Sequence, residues 1–159
     1  MPAADRITGC TCAQLRKLTR RITQHYDARL APAGLRVTQF SLLATLCHGG
    51  PARLSALAES MEMDRTTLTR NLKPLAEAGL VELAAGEDGR ERVVAATTRG
   101  RRAWLAARAE WRRAQDEVNR VLGVAQVAAL HELLGASLTR LRAARTGESE
   151  PRARSGRRG

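Results

Sequence analysis

Between positions 64 and 73 the sequence runs Asp64-Arg65-Thr66-Thr67-Leu68-Thr69-Arg70-Asn71-Leu72-Lys73. Leu68, Leu72 and Leu75 follow at three- and four-residue intervals, the spacing that puts side chains on one face of a helix. Arg65, Thr66, Thr69, Arg70 and Lys73 then take the opposite face, with Thr67 at its border. A guanidinium is a rigid fork of donors, and threonine pairs a hydroxyl with a methyl group. Such a face hydrogen-bonds to acceptors and neutralises anions, and it carries no acid or base for catalysis. The plain alternative is a solvated amphipathic helix.

A second reactive group lies at the start of the chain, where Cys10-Thr11-Cys12 precedes Arg16 and Arg20. A guanidinium one turn away favours the thiolate, the reactive form of cysteine. On a helix the two cysteines sit about 200° apart and cannot chelate one ion; in an extended arm they could bind a soft metal or pair with another chain. A small packed cysteine explains Cys12 equally well, and Cys47 falls on an apolar stripe as a structural residue. The three histidines, His25, His48 and His131, are scattered, with no H-x-x-x-H spacing and no phosphate-cradling glycine loop. No catalytic residue, metal site or cofactor is assigned. A thiol-dependent peroxide-reactive enzyme would need an acid–base partner for its cysteine, and the sequence sets none.

Composition bounds what can position these groups. Of 159 residues, 43% are hydrophobic but only 3% aromatic, so leucine, alanine and valine must pack the core, which suits a mainly helical protein. The net charge of +11 favours a polyanionic partner, because binding nucleic acid releases counterions from its phosphates. Yet 25 of the 27 basic residues are arginine, a ratio that a G- and C-rich genome also produces. Residues 53–102 hold nine basic and eight acidic groups, so that segment must act through the placement of its arginines. Three cysteines are too few for a disulfide scaffold and favour a reducing compartment. No run of about 18 apolar residues exists to span a membrane, and the N-terminus lacks the apolar core of a secretion signal. A cytoplasmic location with no membrane partner is expected.

Periodicity predicts a first helix over Thr11–Leu30, stopped by Ala31-Pro32-Ala33-Gly34. A second follows over Gln39–Cys47 with Thr38 as cap, and a short third is capped by Ser55. Asp64 caps a fourth helix over Arg65–Ala78. The period then changes to that of two short strands, Leu80–Leu83 and Arg92–Ala95, joined by a polar loop with two glycines. Thr98 caps a long fifth helix, and a sixth runs from Val124 to Arg142. The stretch 146–159 holds one alanine as its sole apolar residue and is expected to be a disordered basic tail.

Helix, tight turn, helix and two-stranded ribbon over residues 53–96 compose a winged helix-turn-helix. The second helix of such a unit enters the major groove of DNA by its N-terminal end. There arginine pairs with guanine edges, and threonine contacts thymine methyls or phosphates. Ser55, Arg65, Thr66, Thr67, Thr69, Arg70 and Lys73 are the candidate DNA contacts. Arg90, at the ribbon tip, fits a narrow minor groove, and Asp88 fits the role of orienting it. An ordinary charged hairpin is the alternative for that loop. Pro74 deletes one backbone bond midway along the recognition helix, and a local kink or loosening is expected there.

Gly34-Leu35-Arg36-Val37-Thr38-Gln39-Phe40, Leu54-Ser55-Ala56-Leu57-Ala58, Asp64 to Arg70 with Gly79-Leu80-Val81, and Asp88-Gly89-Arg90 followed by Thr97-Thr98-Arg99-Gly100 together resemble the MarR family over residues 10–142. One departure is Thr97, where the family usually has leucine. The resemblance implies an intertwined helical homodimer, its terminal helices interlocked and its two heads on a pseudo-palindromic double-stranded operator. Residues 1–36 and 98–145 would dimerise and 37–97 would form the DNA-binding head. The apolar residues themselves also ask for a partner: Leu122, Val127, Leu130, Leu134, Leu138 and Leu141 form a stripe too long for the head to cover, unless the last helices fold back as an internal hairpin.

The family likeness further implies a repressor released by a small aromatic or phenolic effector or by thiol oxidation. Cys12, 27 residues before Gln39, is placed like the sensing cysteine of the organic-hydroperoxide members, with Cys10 beside it. Tyr26 matches one tyrosine those members place near that cysteine, while Arg16 replaces the other. Arg16, Arg20, Tyr26 and Trp104 are candidate residues of an effector pocket, with plain packing as the alternative for Trp104. Sequence-neutral, chromatin-like DNA binding remains a competing function.

Overall fold

Helix α1 (Thr11–Leu30) ends in a single 3₁₀ turn, Ala31–Ala33, with Pro32 at its centre. Gly34 closes the turn at φ +70°, where an L side chain is disfavoured, and its N–H reaches the Ala31 carbonyl at 2.9 Å. The computed structural model describes residues 9–86, 89 and 91–147. Helix α2 (Val37–Gly49) starts earlier than its sequence signals indicate. Thr38 lies inside it, because the first free amides are satisfied from elsewhere. The Val37 N–H donates to Asp27 Oδ1 on α1 at 2.7 Å, and the Arg36 N–H donates to Gln39 Oε1 at 2.8 Å.

A two-residue strand, β1 (Ala52–Arg53), leads directly into α3 (Leu54–Ser60). Ser55 is therefore not the cap of α3; Arg53 holds the N-cap position without a side-chain bond, and Ser55 belongs to the first turn. The turn to α4 (Arg65–Glu77) is tight: Glu62 takes φ +52°, and the Met63 N–H returns to the Ala58 carbonyl at 2.9 Å. Strands β2 (Val81–Ala85) and β3 (Arg92–Ala96) pair antiparallel, with Val81 opposite Ala96 and Leu83 opposite Val94. The two-stranded wing is thus part of a three-stranded sheet, order β1-β3-β2, in which Ala52 pairs with Val94 and Arg53 with Val93. A two-residue strand carries too little alternation to be seen in sequence.

Helix α5 (Thr98–Leu122) is capped by Thr97, one residue before the expected Thr98: the Gly100 N–H donates to Thr97 Oγ1 at 3.0 Å. Gly100 is required here, because a Cβ would collide with the Leu80 carbonyl. Helix α6 (Val124–Gly147) runs five residues beyond the expected Arg142. The rest of the expected tail, residues 148–159, lies outside the described residues.

The chain divides into two units after Gln115. In the first, Leu30, Leu35, Phe40, Leu43, Leu46, Leu57, Leu68, Leu72, Leu75, Val81 and Val94 form one apolar core, which fixes α2, α3 and α4 against the sheet. Phe40 stacks on Trp111 with ring centroids 5.7 Å apart. The second unit holds the end of α5 and all of α6. There Val127 is buried, whereas Val121, Leu122, Val124, Leu133, Leu138 and Leu141 are exposed.

Candidate nucleic-acid interface

Helix α4 is anchored from behind and capped in front. Leu68, Leu72 and Leu75 are all but fully buried, and Asp64 accepts the Thr67 N–H at 2.8 Å and the Thr67 hydroxyl at 2.6 Å. Those bonds, the hydroxyl first and then the amide, hold the Asp64 carboxyl below the ordinary aspartate value. They also spend the Thr67 hydroxyl proton, so Thr67 offers outward a methyl group and an acceptor oxygen. Arg65, Thr66, Thr69, Arg70 and Lys73 are exposed together on the outer face. The Thr69 hydroxyl bonds back to the Arg65 carbonyl at 2.7 Å, which orients its methyl group. Lys73 lies 3.8 Å from Glu77, an exposed pair of little energetic weight. The helix continues through Pro74, though the Arg70 carbonyl loses its usual donor there.

Ser55, in the first turn of α3, turns its hydroxyl and amide to one acceptor. Its Oγ hydrogen-bonds to Glu91 Oε1, and its N–H donates to the same oxygen at 3.2 Å. Glu91 Oε2 stands 4.0 Å from Arg53 Nη1. The hydrogen bond from Ser55 lowers the Glu91 pKa, and the charges of Arg53 and Arg65 lower it further. The Glu91 carbonyl accepts the Gly86 N–H at 2.7 Å, closing the loop between β2 and β3. Sequence reasoning missed Glu91 and Arg53. No spacing rule relates residues 36 positions apart, and an acid in a polar loop carries no mark of its partner. Asp88 and Arg90 lie outside the described residues.

The residues of the expected sensor do not come together within the first unit. Cys10 precedes α1, Cys12 lies in its first turn, and both thiols are exposed, as are Arg16 and Arg20. Tyr26 lies fourteen positions beyond Cys12 along continuous helix, about 21 Å at the helical rise, so the two cannot meet inside one chain. The Tyr26 hydroxyl instead donates to Gln115 Oε1 at 2.6 Å, and burial raises its pKa. Trp104 packs edge-on against His48 at 4.9 Å, with Arg108 over its ring at 5.2 Å. No cluster of three or more metal-ligating side chains occurs among the described residues. Nor is any single helix among them long and apolar enough to cross a membrane.

The model of the MarR family matches residues 35–91, from the end of the first turn to the wing root. An uncharacterised HTH-type transcriptional regulator of Bacillus subtilis, YwoH, is 33% identical over 84 residues, 53% of this chain and 61% of that protein. The solved structure of the M. tuberculosis transcriptional regulator MosR in complex with DNA is 36% identical. It superposes with a TM-score of 0.69 over 81% of this chain and 98% of its own. A mutant MarR from E. coli complexed with operator DNA shares the fold at a TM-score of 0.72 and 22% identity, over 79% of this chain and 91% of that one.

Proposed function

The chain belongs to the MarR family, and from that membership we propose that it is a sequence-specific regulator of transcription that binds double-stranded DNA as a homodimer. The observation that carries this is the outer face of α4. Five cationic or hydroxyl side chains stand exposed on a helix whose opposite side is locked into the core by three leucines. A helix held so firmly is a rigid probe for the major groove, with Arg65 and Arg70 on base edges or phosphates and Thr66, Thr67 and Thr69 in close approach. Ser55 and Lys73 serve the backbone, and Arg90, oriented by Asp88, the minor groove.

Pairing of two chains is supported by unpartnered apolar surface. Leu15 and Leu18 on the first half of α1 are exposed, as are Leu133, Leu138 and Leu141 on α6. A two-fold pair would set the recognition helices about one turn of DNA apart, roughly 34 Å, on a pseudo-palindromic operator. Repression relieved by oxidation of Cys12, with Cys10 as a second thiol, is supported by the exposure of both. Relief by an aromatic or phenolic effector would draw on Arg16 and Arg20, which border a concavity with Cys12 and Leu15 on α1. A tyrosine beside the Cys12 thiol would have to come from the second chain.

Fluorescence anisotropy with the chain's own upstream DNA and a shuffled duplex, across a salt series, tests this. Operator binding at least a thousandfold tighter than to the shuffled duplex is the expected result. Equal affinity for both, with a steep salt slope, would replace it with the chromatin-like function. Peroxide turnover by the purified protein without DNA binding would replace it with an enzyme.

A further inference from the structure

Glu91 is the acid that the DNA-facing surface does not explain. Its main-chain carbonyl closes the wing loop through Gly86, and its side chain takes both donors of Ser55, with Arg53 next to its other oxygen and Arg65 close enough to lower its pKa. Its side chain is 24% exposed against 70% for Arg53, so the carboxylate is the sheltered member of the group. A hydroxyl, a main-chain amide and guanidinium groups around one oxyanion are also the contacts that proteins make to DNA phosphates. The carboxylate and a phosphate therefore want the same donors.

We propose that Glu91 is a positioning residue of the DNA interface: it clamps the wing root to α3 in the free protein and competes with a backbone phosphate for Ser55 and Arg53. This rests on the assignment of α4 and the wing to DNA. On a correct operator, many contacts together displace the carboxylate from Ser55. On an arbitrary duplex, fewer contacts are available and the acid both withholds the donors and repels the phosphate. Glu91 thus lowers affinity for all DNA but lowers it most where the fit is poor, which raises the ratio of specific to non-specific binding.

Glu91→Gln keeps size and an acceptor oxygen while removing the charge. The expected result is about fivefold tighter binding to the shuffled duplex, the effect of one unit charge at contact distance in water. A smaller gain on the operator and a salt slope steeper by up to about one should accompany it. A double-mutant cycle separates competition from mere support of the fold. Ser55→Ala should cost more DNA affinity in a Glu91→Ala background than in the native chain, because the phosphate there has no rival for the hydroxyl. Unchanged affinity and salt slope in Glu91→Gln, or an equal or smaller cost of Ser55→Ala in the second background, overturns the proposal. If Glu91→Gln fails to fold, the Ser55→Ala cost at low and high salt decides instead: a loss as large as that of a full phosphate contact in the native chain overturns the competition. If the native chain binds neither duplex, the DNA-binding assignment falls and this proposal with it; if it binds and only the variants fail to respond, the assignment stands.

Discussion

Thr97 donates its hydroxyl proton to the carbonyl of Gly79 at 2.7 Å, joining the turn that follows α4 to the residue before α5. The same oxygen accepts the Gly100 N–H at 3.0 Å, and the Thr97 N–H donates to the Leu80 carbonyl at 3.1 Å. One side chain thus caps α5 and ties the turn after α4 to it.

Thr97→Val keeps the shape and removes both bonds. It is expected to lower stability by about 1–2 kcal/mol, the cost of losing an N-cap, as measured by urea denaturation. Thr97→Ser should restore most of that loss. Thr98→Ala, at the position that sequence signals favoured as the cap, should be nearly neutral; a larger loss at Thr98 than at Thr97 would contradict the capping geometry.

Arg70→Ala removes a guanidinium from the exposed face of α4 without touching its buried leucines. Operator affinity is expected to fall by about 1–3 kcal/mol, with the assembly unchanged in sedimentation velocity. Affinity equal to that of the native chain would take Arg70 out of the interface.

Asp64 contributes to stability in a pH-dependent way. Its hydrogen bonds to Thr67 lower its folded-state pKa below the unfolded one, so its contribution is complete above the ordinary aspartate range. It is lost as pH falls through the lowered value, where the carboxylate must protonate. The thermal midpoints of the native chain and Asp64→Ala should therefore differ at neutral pH and converge in strong acid. A gap that widens on acidification would contradict this.

Cys12→Ser should leave DNA binding intact and abolish its release by an organic hydroperoxide, followed by footprinting. Cys47→Ser should still release, since burial raises the pKa of that thiol despite the charge of Arg101, and so disfavours its reactive form. Release by oxidant in the Cys12→Ser chain would end the redox role of that residue.

Local chemistry made much of this protein legible from its residues. The limits of α1 follow from a stripe of Leu15, Leu18, Ile22, Tyr26 and Leu30 and the proline and glycine beyond it, and the start of α4 follows from Asp64 ahead of a leucine repeat. Signals of that kind act within one or two helical turns, so a linear string contains them whole. The exposed face of α4 was legible for the same reason, since burying Leu68, Leu72 and Leu75 leaves Arg65, Thr66, Thr69, Arg70 and Lys73 outside.

Folding alone decided where distant donors and acceptors met. Thr97 rather than Thr98 caps α5 because Gly79 and Leu80 arrive beside it, and α2 begins at Val37 because Asp27 reaches its amide. Strand β1 exists because Ala52 and Arg53 find β3, and Glu91 acquires its role from Ser55, 36 residues away. A hydrogen bond needs its partner within about 3 Å, and only the packed core brings such partners that close.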